Sequence, residues 1–370
     1  MNKDTSIFLD MVRFGAALLV FMHHFAYQDI SGAGEAISFL GQFGEDAVVV
    51  FFVLSGYVIA FVSSERERGC ADYFSSRFAR LYSVALPALV LTLIVDWVGR
   101  AMNPALYESW YQSSLPLVRI IASVTFTNQL WSLDIRPFSN VPYWSISYEF
   151  WYYVFFGAVL FLSGKKRVVA ICCWAILVGP LILLMLPTWL IGVYAYRRSQ
   201  RPPLSIGIAR AILLSVVVLY VAFWLVELRP LLTSMTDKWV AYVSSDPYVL
   251  HKARSFLYYY FVAILVAVGF IACDSLARGD ALRLQSIRVP VRWLAQYTFT
   301  LYLLHYPLLY LFTAISPWEV ESATHRGFVS LATAVVVFAM TPITEDRKRE
   351  WKAFFSARMN GIAGRMRLTV

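Results

Sequence analysis

The sequence is poor in charged residues and in cysteine. Only 15% of its 370 residues are charged and 59% are hydrophobic, whereas soluble globular proteins have about 25% charged residues. These two values argue against a water-soluble enzyme and predict a protein embedded in a lipid bilayer. The four cysteines show no metal-ligand spacing, so we expect neither a metal centre nor a disulfide.

The sequence also lacks internal repeats, low-complexity tracts and any basic face with interleaved aromatic residues. Its formal net charge of +9 comes from basic residues in short clusters between apolar runs. Clusters of this kind are typical of the cytoplasmic loops of membrane proteins. We therefore expect no nucleic-acid partner.

Ten apolar runs have the character of transmembrane helices, since about 20 apolar residues cross the hydrocarbon core. They lie near residues 7–27, 44–63, 82–99, 147–163, 168–185, 187–196, 207–226, 256–273, 295–315 and 327–343. The sixth run is short, but keeping it places every strongly basic loop on the cytoplasmic side.

The sequence thus predicts an all-α, polytopic membrane bundle of about ten transmembrane helices with cytoplasmic N- and C-termini. Residues 1–345 form the transmembrane domain in this interpretation, and residues 346–370 form a basic cytoplasmic tail. We expect a multi-pass protein of the inner (plasma) membrane, with the lipid bilayer as a partner.

The first apolar run carries ionisable residues that a simple membrane anchor would not need. Arg13 and His24 lie eleven residues apart, which places them about 20° apart around a helix and about 16 Å apart along it. A charge at the centre of a membrane helix costs roughly 2.5–3.5 kcal/mol, so such residues face a partner or a cavity. Asp10 can pair with Arg13 at i, i+3. A single histidine could be a packing residue, but the co-facial pair favours a functional site.

Five segments resemble, in order, motifs of the acyltransferase 3 family of integral membrane acyltransferases. They are LDMVRFGAALLVFMHH with Arg13 and His24, GEDAVVVFFVLSGYVI, YFSSRFARLY with Arg77 and Arg80, VPYWSISYEFWYY with Trp144, Ser145 and Glu149, and YTFTLYLLHYPLL with His305. The chain departs from the family pattern at Ser83, where a proline is usual. The end of the last helix matches only loosely as TEDRKRE, so Glu345 and Arg347 receive no predicted role.

The resemblance implies acyl transfer from acyl-CoA, most simply acetyl-CoA, to a hydroxyl group. An alcohol needs a base near neutral pH, and imidazole suits that task. We therefore predict His24 as the general base, with Glu149 at a similar depth as the carboxylate that orients it. A covalent acyl-histidine intermediate stays open.

Donor and acceptor residues follow from the same resemblance. Arg77 and Arg80 are predicted to bind the CoA phosphates, although topology alone also places basic residues there. Arg13 would steer the pantetheine arm or polarise the thioester carbonyl.

The acceptor is expected to be a cell-surface or lipid-linked glycan of the O-antigen or exopolysaccharide type. Trp144 is a stacking platform for a sugar or an interfacial residue, Ser145 a substrate contact or a helix cap, and His305 a substrate contact or a structural hydrogen-bonding residue.

Two other functions compete with this one. A secondary transporter would also have many spans, buried ionisable residues and a short helix. Against it, the two halves of the chain show no repeat symmetry. A non-catalytic scaffold leaves the energetic cost of Arg13 and His24 unexplained.

Overall fold

The computed structural model describes residues 1–32, 34–67, 69–244, 246 and 249–367. The regular structure in these ranges is helical, with short 3-10 turns between some of the α-helices. The α-helices are α1 (Lys3–Phe25), α2 (Gln28–Ser31), α3 (Glu35–Gly41), α4 (Gly44–Glu65), α5 (Cys70–Met102), α6 (Ala105–Glu108), α7 (Pro116–Val124), α8 (Trp144–Phe161), α9 (Gly164–Val178), α10 (Pro180–Ser199), α11 (Ile206–Leu225), α12 (Leu228–Val243), α13 (Phe256–Arg278), α14 (Arg288–Ala295), α15 (Thr298–Ile315), α16 (Ala323–Met340) and α17 (Lys348–Arg367).

Eight helical stretches of the described residues are long and apolar enough to cross a membrane. They are Lys3–Phe25, Glu35–Glu65, Cys70–Met102, Pro180–Ser199, Ile206–Leu225, Phe256–Arg278, Thr298–Ile315 and Ala323–Asn360. The predicted all-α, multi-pass membrane bundle is confirmed, with eight spans by this criterion where the sequence predicts ten. The other two predicted runs form α8, which opens with the polar stretch WSISYE, and α9, which has only 15 residues.

The boundary between the fifth and sixth predicted runs lies elsewhere in the structure. The run 168–185 is divided at Gly179, which ends α9 and precedes Pro180 at the start of α10. Gly179 has φ +76°, and a side chain there would collide with Trp131. A glycine is required at this break, because other residues rarely adopt this conformation. The part of the fifth predicted run that follows Gly179 joins the sixth run in one helix. This helix, α10, is therefore a full span of 20 residues.

Helices α4 and α10 cross in close contact near the middle of the bundle. A Cβ atom at Gly56 would collide with the carbonyl oxygen of Trp189, and one at Gly192 with that of Val53. Small residues at a helix crossing allow the two backbones to approach closely inside a membrane. This crossing fixes α4, whose other faces line the two cavities described below.

The C-terminal helix α17 packs along α5. The ring of Phe355 contacts the rings of Phe78 and Tyr82, with centroids 5.6 Å apart in both pairs. An ion pair joins Lys352 and Asp72 at 2.7 Å. Part of the segment predicted as a basic tail is thus a helix held against the bundle.

Candidate active site

Two cavities lie along α1, one beside its middle at Arg13 and one beside its C-terminal end at His23 and His24. The arginine cavity, of about 140 Å³, is lined by residues that include Arg13, Arg80, Glu149, Glu345 and Lys348. The histidine cavity, of about 630 Å³, is lined by residues that include His23, His24, Trp144, Arg229 and Lys252. Among the described lining residues, Val48 and Tyr302 belong to both.

Arg13 and Arg80 give the arginine cavity its positive charge. Arg13 Nη1 donates to Asp10 Oδ1 at 3.2 Å, as predicted. Arg80 Nη2 lies 3.7 Å from Glu149 Oε1. In both arginines the Nε atom is buried and has no hydrogen-bond partner among the described residues. Since buried donors are nearly always satisfied, both guanidinium groups retain capacity for a further acceptor.

Glu149 belongs to the arginine cavity and does not orient His24. Its carboxylate accepts hydrogen bonds from Ser55 Oγ at 2.8 Å and from the Tyr153 hydroxyl. The predicted contact between Glu149 and His24 is therefore wrong. The expected similar depth does not hold, because α8 places Glu149 beside Ser55 and Arg80 in the cavity that Arg13 lines.

Arg77 does not share the environment of Arg80, although the two residues are only three positions apart. Arg77 Nη2 donates to Glu67 at 2.6 Å, and its guanidinium lies over the Tyr73 ring at 4.8 Å. Burial raises the pKa of Glu67, and the charge on Arg77 opposes that shift. The two charged side chains are only 5% and 4% exposed. Arg77 is not among the described lining residues of the arginine cavity, which leaves Arg80 as the accessible member of the predicted phosphate-binding pair.

The segment TEDRKRE supplies two cavity residues that sequence reasoning missed. Glu345 Oε1 accepts hydrogen bonds from the Phe299 and Thr300 amides at 3.0 and 2.9 Å, and so satisfies amides that the first turn of α15 leaves free. Lys348, exposed at the start of α17, adds a third positive charge. Arg347 instead pairs with Glu350 on the surface. The acidic-basic composition of this segment was the available signal, but its match to the family pattern was too loose to assign roles.

His24 pairs with His305. His24 Nδ1 lies 2.9 Å from His305 Nε2 and 3.1 Å from the Val20 carbonyl, while His305 Nδ1 lies 3.0 Å from the Leu301 carbonyl. A carbonyl can only accept, so both Nδ1 atoms carry hydrogen when the rings are neutral. These bonds leave Nε2 of His24 unprotonated, with no hydrogen-bond partner among the described residues.

His305 therefore lies behind His24. It is 1% exposed and is not among the described lining residues of the histidine cavity. Of its two predicted roles, the structural hydrogen bond is the one that the geometry shows. The sequence contained both histidines but not their contact, because they lie 281 positions apart.

Trp144 and Ser145 begin α8 and face different cavities. Trp144 lines the histidine cavity, as its predicted sugar-stacking role requires, and its ring meets Tyr148 edge-on with centroids 5.2 Å apart. Ser145 lines the arginine cavity and its hydroxyl lies 2.6 Å from that of Tyr302. The helix begins without a side-chain cap, so the alternative role of Ser145 as a helix cap is wrong.

Tyr302 stands between the two cavities. Its hydroxyl bonds to Ser145, and its ring packs against Phe51 on α4 with centroids 5.4 Å apart. It lies one turn before His305 on α15. Tyr302 therefore forms part of the wall that the two cavities share.

The geometry agrees with the function that the sequence motifs imply. A basic cavity shares part of its wall with a second cavity, which contains an unprotonated imidazole nitrogen. The family model described as an acyltransferase domain matches residues 6–343. The chain belongs to the acyltransferase 3 family. The chain is 29% identical over 161 residues to acyltransferase MdmB of Streptomyces mycarofaciens, a match that covers 39% of this chain and 36% of that protein.

A second relative is an O-acetyl transferase of Shigella phage Sf6. It is 29% identical over 171 residues, which cover 44% of this chain and 48% of the phage protein. The chain thus matches less than half the length of either relative. No solved structure matches it. In the described part of this acyltransferase-family chain, no group of three or more His, Cys, Asp or Glu side chains could hold a metal ion.

Proposed function

We propose that this protein is a membrane O-acyltransferase that moves an acetyl group from acetyl-CoA to a hydroxyl of a cell-surface or lipid-linked glycan. The observation that carries the proposal is the free Nε2 of His24 in a cavity that adjoins a second, basic cavity at Tyr302. Family membership supports acyl transfer, and the phage relative's name supports acetyl as the acyl group.

The arginine cavity fits the donor. CoA carries several phosphate charges, and guanidinium groups bind phosphate oxygens through parallel hydrogen bonds. A cavity of about 140 Å³ receives the acyl-pantetheine end, with the nucleotide outside. Arg13 and Arg80 would meet the polar groups of the arm, and Lys348 would meet the phosphates at the exposed edge. The predicted orientation of the termini places this cavity on the cytoplasmic side of the plasma membrane.

Helix geometry separates the roles of Arg13 and His24. Eleven residues of α1 place them about 16 Å apart along the helix. Arg13 therefore steers the arm, because it does not reach a thioester carbonyl that lies beside His24. The thioester must be carried past Tyr302 before it can react.

The transfer step then needs only the acceptor hydroxyl and His24. Nε2 of His24 removes the hydroxyl proton as the oxygen attacks the acyl carbon. The carbon–sulfur bond breaks, and the CoA thiolate leaves with its electron pair and takes the proton from the imidazolium. His305 acts as a positioning residue, because it holds the His24 tautomer that can accept the proton.

The histidine cavity fits a sugar acceptor. Its volume of about 630 Å³ lies within the usual range of about 300–1,000 Å³ for small-molecule sites. Trp144 supplies an aromatic surface in its wall. The O-antigen and exopolysaccharide classes remain the proposed acceptors.

Donor binding is tested by thermal unfolding of the detergent-solubilised protein with acetyl-CoA, with free CoA and with neither. A ligand at a hundred times its Kd stabilises the folded state by about 2.7 kcal/mol. We expect acetyl-CoA to raise Tm in the wild type and to have a much smaller effect in Arg80→Ala. Arg197→Ala is the control, since Arg197 is exposed and is not among the described cavity residues. No rise at millimolar acetyl-CoA in folded wild type would contradict the proposal and favour the transporter.

A further inference from the structure

Among the described residues that line the histidine cavity, one cation has no described counter-ion. Each arginine in its wall has a carboxylate partner: Arg136 pairs with Asp134 at 3.0 Å, Arg254 with Asp237 at 2.6 Å, and Arg229 with Glu45. Lys252 lines the same cavity, and it has no hydrogen bond or ion pair to any residue that the structure describes.

Lys252 is held in place by its neighbours. It lies in a 3-10 turn, His251–Ala253, and His251 Nε2 contacts the Ser132 carbonyl at 3.1 Å. This contact ties the turn to the loop that carries Asp134 and Arg136. The backbone of Lys252 is therefore anchored beside the cavity that its side chain lines.

The charges around Lys252 do not neutralise it. Burial lowers the pKa of Lys252, the Asp134 carboxylate opposes that shift, and the Arg136 guanidinium adds to it. Asp134 is already committed, because it accepts hydrogen bonds from Gln129 at 2.9 Å and from Arg136. A partly buried ammonium without its own counter-ion is costly, and an anion in the cavity would remove that cost.

We propose that the acceptor carries an anionic oxygen group, a carboxylate or a phosphate, which binds Lys252 while the reacting hydroxyl lies at His24. This inference rests on the proposed function and names the chemical class of its acceptor. Both side chains line one cavity, so one sugar unit or two linked units can contact both. A neutral glycan would leave Lys252 uncompensated.

The test compares three sugars as probes with the purified full-length protein. Glucuronate carries a carboxylate, glucose 1-phosphate carries a phosphate, and glucose is neutral. Their affinities are measured by thermal shift in wild type, Lys252→Gln and Lys252→Arg. Lys238→Gln is the matched control, since Lys238 is exposed on α12 and is not among the described cavity residues.

We expect at least one anionic sugar to bind the wild type and the Lys238→Gln and Lys252→Arg variants more tightly than glucose does. In Lys252→Gln that preference should fall at least tenfold. The anion that shows the effect distinguishes a carboxylate from a phosphate. Equal binding of glucose and both anionic sugars, no stabilisation by either anion, or an unchanged preference in Lys252→Gln would overturn the inference.

Acetyl-CoA is added to the same samples as a second, separate ligand. Stabilisation by acetyl-CoA in Lys252→Gln shows that this variant is folded and that the donor cavity is intact. If acetyl-CoA binds and the anionic sugars do not, the anionic acceptor alone is refuted. If acetyl-CoA fails to bind the wild type, the proposed function itself fails.

Discussion

His24 is held in its basic tautomer by two acceptors for its Nδ1 hydrogen. Its Nδ1–H points at His305 Nε2 and the Val20 carbonyl, and this arrangement keeps the proton-accepting nitrogen free. In serine hydrolases a carboxylate holds the histidine tautomer. Here the second histidine takes that place, and Glu149 instead serves the arginine cavity.

The role of His305 is tested by two variants of similar size. His305→Gln offers an amide oxygen that can accept from His24 Nδ1–H, whereas His305→Leu offers no acceptor. We expect His305→Leu to reduce the transfer rate by about 10- to 100-fold, as the loss of the partner that orients a metal-bound histidine does, and His305→Gln to retain most of the rate.

The measurement is the rate of CoA release from acetyl-CoA in the presence of acceptor-containing membranes, with the thermal shift by acetyl-CoA as a check of folding. Equal losses in the two variants, at unchanged donor binding, would show that His305 only fills space.

Several individual residues could be predicted from the sequence, and others could not. Arg13 and Asp10 were found because charged groups in apolar helices need partners, and Arg80 was found because its segment resembles a family motif. The position of Glu149 could not be predicted, because the order and direction of the spans give only an approximate depth for a residue and do not give its direction around the helix. The His24–His305 pair required the packing of α1 against α15, which no local pattern encodes.

At the level of helices, the α4–α10 crossing is the contact most sensitive to side-chain size. Gly192→Ala would place a methyl group against the Val53 carbonyl. Overpacking of this kind typically costs about 1–3 kcal/mol, so we expect a clearly lower Tm and weaker donor binding through displacement of α4.

Gly207→Ala is the control for this experiment. Gly207 lies in α11, and a Cβ there meets no atom within 4 Å. Alanine in an open helical position is neutral or slightly stabilising. If the Gly192→Ala protein has the same Tm as Gly207→Ala and the wild type, the close crossing is disproved.

Helix positions were largely predictable, and their ends were less so. All ten predicted apolar runs fall in helices, since hydropathy over about 20 residues is a strong signal. The break at Gly179 was missed because an apolar run continues on both sides of it. Helix α17 was missed because its sequence is basic and its packing on α5 depends on Phe355 and its aromatic partners.

For the molecule as a whole, the proposed function requires the arginine cavity to face the cytoplasm. Cys70 is exposed at the start of α5, on the side of the bundle that holds Arg80. A variant that keeps only Cys70, with Cys172, Cys173 and Cys273 replaced by alanine, should react with a membrane-impermeant maleimide in inverted vesicles and not in intact cells.

A Glu319→Cys substitution in the same background provides the opposite reporter. Residue 319 lies between α15 and α16, and the predicted topology places it outside. Glu319→Cys should therefore be labelled in intact cells. The reverse pattern would place the arginine cavity outside the cell and rule out cytoplasmic acetyl-CoA as its ligand.

The class of the molecule was predictable from composition, and its cavities were not. Low charge and long apolar runs specify a membrane bundle, because lipid excludes other arrangements of the same segments. A cavity arises from residues of many helices, such as Arg13 on α1, Arg80 on α5 and Lys348 on α17. These residues come together only when the helices pack, so the sequence of any one helix does not reveal the cavity.

The central claim is that His24 catalyses transfer of an acetyl group to a membrane-associated hydroxyl. It is tested by measuring where a labelled acetyl group goes. Membranes from host cells that lack the natural protein and produce either wild type or His24→Gln are incubated with acetyl-labelled acetyl-CoA. General-base catalysis contributes about 10²- to 10⁴-fold. We predict alkali-labile label in the glycan fraction with wild type and a loss of that size with His24→Gln, at equal donor binding. Equal incorporation by the two proteins would contradict the account.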